Sequence, residues 1–257
     1  MRFIRFQTRT EPARFGWLHE DKVGALDGSP FSEFRRQEAD IPLESVRLLA
    51  PVLPGKIICV GRNYVEHAKE HNAEVPDVPL LFLKPPSSVI GPDQTIILPP
   101  QSQQVEHEAE LVVVVGKRGR WIEPERALDY VLGYTIGNDV TARDLQRRDG
   151  QWTRAKGFDT FCVLGPWIET ELDPADLMIT CHVNGELRQM ASTRDMVFHI
   201  EQLIAFASSI MTLEPGDVIM TGTPAGVSPL RAGDQVVVAI EHLGSLRSIV
   251  AAEPGRA

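Results

Sequence analysis

Glu106-His107-Glu108-Ala109-Glu110-Leu111-Val112-Val113-Val114-Val115 sets three acids at alternate positions against a run of β-branched side chains. The apolar run is continuous and too short for a helix, so it reads as a buried strand. Alternate side chains of a strand share a face, which points Glu106, Glu108 and Glu110 the same way. Acids about 7 Å apart on one face repel one another and resist burial unless a cation neutralises them. A bound hard cation satisfies the pattern, and so does a solvated strand entrance with salt-bridged carboxylates.

Working outward, short apolar runs of the same kind recur at residues 56–60, 80–83, 95–98, 178–183, 218–221 and 235–240. We expect strands at each. Residues 2–7, 15–19 and 22–26 add shorter β-like runs, broken by the turn Asp27-Gly28-Ser29-Pro30. Ala50-Pro51-Val52-Leu53-Pro54-Gly55 then reads as a connector, dividing a small β-rich N-terminal domain (1–52) from a catalytic domain (53–257). Helical patterns are confined to residues 65–73, 123–129 and 200–210. The fold class expected is mainly β (α+β), with peripheral helices.

The chain of 257 residues is 43% hydrophobic and 24% charged, a globular balance that excludes disorder, collagen and coiled coil as its main state. Its net charge of −9 disfavours nucleic acid and anionic membrane surfaces as partners. No apolar stretch approaches the roughly 20 residues of a membrane helix. The opening Met1-Arg2-Phe3-Ile4-Arg5-Phe6 lacks a signal-peptide core, so a cytoplasmic location is expected. Cys59, Cys162 and Cys181 are odd in number and far apart, as reduced, buried thiols would be.

Several further residues carry chemistry. Asp139, in Gly137-Asn138-Asp139-Val140-Thr141-Ala142-Arg143-Asp144, follows a strand-like stretch and could complete a carboxylate site or cap a turn. Carboxylates without clustered His or Cys favour Mg²⁺, with Mn²⁺ or Ca²⁺ behind it, over structural zinc. His67 and Glu70, spaced i, i+3, share a helix face and form either a general-base dyad or a plain surface pair. The neighbouring His71 reads as exposed. Lys84 and Lys156 end or follow apolar runs, placed to meet an anion or to sit at the surface. Thr221-Gly222-Thr223-Pro224-Ala225-Gly226 offers close backbone approach and hydroxyls for a carboxylate, or a simple turn. Neither a phosphate-binding loop nor a Gly-x-Ser-x-Gly elbow is present.

Taken with Val60-Gly61-Arg62-Asn63-Tyr64, Leu81-Phe82-Leu83-Lys84-Pro85, Lys156-Gly157-Phe158-Asp159 and Val183-Asn184-Gly185-Glu186, these motifs stand in a familiar order. Over residues 56–250 the chain resembles the fumarylacetoacetate hydrolase superfamily, in its acylpyruvase-like and 2-hydroxyhepta-2,4-diene-1,7-dioate isomerase-like branch. The resemblance implies a mixed β-sandwich roll, assembled as a homodimer. It implies Mg²⁺ held by Glu108, Glu110 and Asp139, with Glu106 outside the set. By the same likeness Lys156 meets developing negative charge, and His67 with Glu70 acts from a short lid helix. Arg62 stands at the lid entrance, and Gln146 and Thr223 contact substrate. Against a net charge of −9, Lys84, with Lys156 and Arg62, would help draw in and bind an anionic substrate. One departure is Cys162-Val163-Leu164, where relatives commonly carry a central proline.

The activity implied is Mg²⁺-dependent hydrolysis of a carbon–carbon bond in an acylpyruvate-type 2-oxo acid, through a stabilised pyruvate enolate. The nearest rival is a decarboxylase or isomerase at the same site, acting on oxaloacetate or on the diene-dioates of aromatic catabolism. A non-catalytic metal- or ligand-binding module is the alternative from another class.

Overall fold

The computed structural model describes residues 1–255. Its centre is the strand Ala109–Val115, every residue of which is buried. It has no in–out alternation because both of its faces are covered. Leu111, Val113 and Val115 enter a core shared with Ile136, Ile179, Cys181, Val238 and Leu203, while Val112 and Val114 enter a second core with Ile57, Cys59, Leu164, Val218 and Phe3.

A twelve-stranded sheet carries this strand between Val131–Asp139 and Val218–Met220, continuing to Ile57–Gly61 and Leu80–Lys84. On the other side it runs through Cys162–Glu169 to Arg2–Gln7, Arg14–His19, Lys22–Gly28 and Phe34–Pro42. The N-terminal strands therefore extend the main sheet, with Phe3 opposite Ile168. A five-stranded sheet, Glu186–Ser192, Met178–Val183, Gln235–Ile240, Gly244–Ala252 and Thr95–Leu98, packs across the first core. The result is mostly β, as expected.

Among the described residues four helices flank the sheets: α1 (Val65–Glu70), α2 (Arg143–Asp149), α3 (Thr153–Lys156) and α4 (Ile200–Ile210). Helix α4 buries Leu203, Ile204 and Ala207 of the apolar positions in its spacing, whereas Ile210, the fourth, is exposed at the end of the helix. Residues 123–129, expected to be helical, form instead the 3₁₀ turn Pro124–Tyr130, where proline fixes the entry but only Ala127 is buried. Helix α2 was not anticipated, because its Arg- and Asp-rich sequence lacks an apolar stripe. All three cysteines are free and buried. No helix among the described residues is long and apolar enough to cross a membrane.

Candidate active site

The expected alternation of three acids stops short of Glu106. Val105–Glu106 is a separate two-residue strand paired with Thr141–Ala142, and the main strand begins only at Ala109. Glu106 is thereby turned to Arg143, whose Nε donates to its Oε2 at 2.8 Å. Glu108 and Glu110 are instead brought to Asp139, with carboxylate oxygens of the three within 4.8 Å of one another. Local hydrogen bonds fix this. Asn138 Oδ1 accepts the Glu108 N–H at 2.9 Å, and the Asp139 N–H donates to Glu108 O at 2.9 Å.

Three cations surround these acids. Lys156 Nζ donates to Glu108 Oε2 and Asp139 Oδ2, both at 2.6 Å, and lies 5.0 Å from the Phe82 ring centre. Arg143 donates to Glu108 Oε1 at 2.5 Å. Lys84 lies away from the cavity wall: its Nζ is buried behind Asp139, donating to Oδ1 at 2.5 Å and to Val140 O at 3.2 Å. Burial alone would raise the Glu108 pKa, yet Lys156 and then Arg143 hold it well below the usual carboxylate range. Glu110 is the contrary case. Burial, then the charges of Asp139 and Glu108, push its pKa well above the usual range, although the Gly222 N–H donates to Oε2 at 2.8 Å. Among the described residues no lysine or arginine pairs with it. An all-oxygen cluster with one carboxylate short of positive charge fits a hard divalent cation.

A cavity of about 320 Å³ opens above Glu108, lined by Arg62, His67, Phe82, Arg143, Gln146, Trp152, Lys156 and Thr223 among others. The sequence-derived residues Arg62, His67, Gln146, Lys156 and Thr223 thus share one space. Glu70 stands behind His67, its Oε2 3.3 Å from Nδ1, and also accepts the Gly226 N–H at 3.1 Å. His71, expected to be exposed, is half-buried, lines the same cavity and packs edge-on to the His67 ring at 4.7 Å between centres. Arg62 sits at φ 58°, a costly backbone conformation for a non-glycine residue, and places its side chain at the cavity.

Sequence reasoning missed Arg143 and Arg147. Their i, i+4 spacing, with Gln146 between, was the available signal, since it lays one face of α2 along the cavity. Gln189 was missed as well. From the five-stranded sheet its Oε1 accepts the Ala109 N–H at 3.1 Å and lies 2.9 Å from His107 Nδ1. Its Nε2 donates to Thr223 Oγ1 at 2.8 Å and Pro224 O at 2.7 Å. That amide clamps the acid-bearing strand to the Thr221–Gly226 loop.

Residues 56–251 match the family model described as fumarylacetoacetate (FAA) hydrolase C-terminal. The chain belongs to the fumarylacetoacetate hydrolase family. Residues 1–51 match a second model, Rv2993c-like, N-terminal. Family relatives differ in the reactions their names carry. The mitochondrial oxaloacetate tautomerase FAHD2B of Homo sapiens is 49% identical over 217 residues, covering 79% of this chain and 69% of that protein. The structure of a 2-hydroxyhepta-2,4-diene-1,7-dioate isomerase from Mycobacterium marinum superposes with a TM-score of 0.92 at 41% identity, covering 99% and 100% of the two chains. A fumarylacetoacetate hydrolase from Exiguobacterium antarcticum gives 0.85 at 40% identity, covering 98% and 100%.

Proposed function

We propose that the chain is a divalent-cation-dependent tautomerase or isomerase of a small 2-oxo diacid of the oxaloacetate class, with Mg²⁺ as its resident ion. One observation carries this reading: the cavity over the carboxylate cluster is lined by His67, backed by Glu70, together with two guanidiniums, Arg62 and Arg147, that pair with no acid among the described residues. A diacid has one carboxylate beside its 2-oxo group and one left over. The acid-free guanidiniums suit the second. The names carried by the tautomerase and isomerase relatives support the same reaction class.

Glu108, Glu110 and Asp139 would hold the cation, which when bound supplies electrophilic polarisation of the adjacent 2-oxo and carboxylate oxygens. Lys156, fixed by two hydrogen bonds, presents its ammonium to the oxygen on which negative charge develops. His67 takes the proton from the substrate's C3 and returns it to oxygen or carbon. Glu70 engages Nδ1 and so leaves Nε2 for that transfer. Phe82 and Trp152, packed edge to face at 5.1 Å, form an apolar wall that limits water at the reacting carbon. Local cations outweigh the global charge of −9 in drawing in the dianion.

The hydrolase reading keeps one specific support, the His67–Glu70 hydrogen bond, which can equally activate a water for attack on a distal carbonyl. A parallel assay of oxaloacetate, acetylpyruvate and fumarylpyruvate with Mg²⁺, Mn²⁺ or chelator separates the reactions. Metal-dependent keto–enol conversion without acid or CO₂ release is expected. Acid release would make the chain a hydrolase, and CO₂ release a decarboxylase. Mg²⁺ binding with no turnover of any of the three would make it a binding module.

A further inference from the structure

The sequence carries no obvious histidine cluster, yet α1 builds one. His67, Glu70 and His71 stand at i, i+3 and i+4, and one ligand atom from each lies within 4.8 Å of the others. Two imidazoles one helical turn apart with a carboxylate between them is a donor set unlike the all-oxygen cluster beneath it. Two observations show that the set is built. The Glu70 carboxylate is fixed from behind by the Gly226 N–H at 3.1 and 3.3 Å. The His71 Nε2 is enclosed and has no hydrogen-bond partner. A buried ring nitrogen without a partner is costly unless something binds it.

We propose that His67, Glu70 and His71 form a second metal site, selective for a borderline ion such as Zn²⁺, which shuts the enzyme off while the hard ion stays in place. Three protein ligands leave a fourth position that faces the cavity, since His67 and His71 both line it. An ion held there occupies the imidazole lone pair that would otherwise carry the proton. Two ions of different hardness thus meet one cavity: one on oxygen ligands that supports turnover, one on nitrogen ligands that stops it. His71 has no part in the proposed proton transfer. Its removal separates the two sites.

Zinc chloride titrated calorimetrically into the Mg²⁺-saturated chain, with no substrate present, reads this site independently of the reaction assigned above. One Zn²⁺ per chain is expected, with Mg²⁺ retained, and Co²⁺ in its place should give the visible absorption of a low-coordinate site. In His71→Ala, Zn²⁺ affinity should fall roughly tenfold or more, and whatever Mg²⁺-supported turnover the variant has should be resistant to zinc. Should that variant not fold, Glu70→Gln provides the same binding test. Zn²⁺ that is displaced by excess Mg²⁺, binding unchanged in both variants, or no binding to the Mg²⁺-loaded wild type would each overturn the proposal.

Discussion

Lys156 has two roles that a single substitution can separate. It neutralises Glu108 and Asp139, and it faces the cavity beside Phe82. Lys156→Met should lower kcat by about 10²–10³-fold at saturating Mg²⁺, the usual cost of removing a preorganised charge from a developing oxyanion. Steady-state kinetics beside a thermal melt checks this; turnover near the wild-type rate in a folded variant would remove the assigned role. Arg147 is a test of substrate class. Gln104 Oε1 accepts from its guanidinium at 2.5 Å, which leaves other N–H groups for the cavity. Arg147→Leu should raise KM for a diacid about tenfold or more, the loss of one charge-assisted hydrogen bond, and leave KM for acetylpyruvate nearly unchanged. Equal effects on both substrates would count against a distal carboxylate. The acids of the strand were legible because like charges beside an apolar run demand an explanation, while Asp139, equally a turn cap by its residues, joined them through the family likeness. Lys84 was legible only as a cation near an anion, since sequence does not convey that its amine, at the buried end of its strand, pairs with Asp139 and Val140 O.

At the scale of elements, the site depends on where strands end. Asn63, just beyond Ile57–Gly61, donates from Nδ2 to Thr221 O at 2.7 Å and Phe198 O at 3.0 Å, and accepts the Phe198 N–H at 2.8 Å. It ties the segment leading into α1 to the Thr221 loop and to the entry of α4. Asn63→Ala leaves these buried groups without partners and should destabilise the chain by on the order of 2 kcal/mol or more, measured by urea unfolding. A loss within about 0.5 kcal/mol would show that water replaces the amide. Gly222 explains how close that junction is. Its φ is +96°, and an added Cβ would stand 2.8 Å from Asn63 Cβ. The strands themselves were readable from runs of Val and Ile. The break between Glu106 and Ala109 was not, because nothing in Glu-His-Glu-Ala shows that Arg143, 37 residues on, captures Glu106.

On the scale of the whole molecule, the first fifty residues share a core with the rest. Phe3, Leu26 and Ala50 pack with Ile57, Val112, Leu164 and Ile168, and Arg2 Nε donates to Glu169 Oε2 at 3.1 Å. The connector at residues 50–55 marks a change of sequence, yet the sheet passes across it. A chain beginning at residue 53 would expose this apolar face and leave Ile168 and Glu169 unpaired at the edge of their strand. We expect it to aggregate or to melt well below the full chain, which should unfold in a single cooperative transition by calorimetry. A soluble truncation with an unchanged melting temperature would show the sheet extension to be dispensable. Gln189 has a different reach. Its oxygen and nitrogen serve four neighbours, which uses the full capacity of one amide. No isostere can take its place, because a carboxylate there would set a bare oxygen against the Pro224 carbonyl. The floor of the site is therefore held in place, whereas the outer turn of α2 carries none of these four contacts. A change in the tail this scaffold admits is therefore expected at Arg62 and Arg147, which line the cavity away from that amide, and not at the floor.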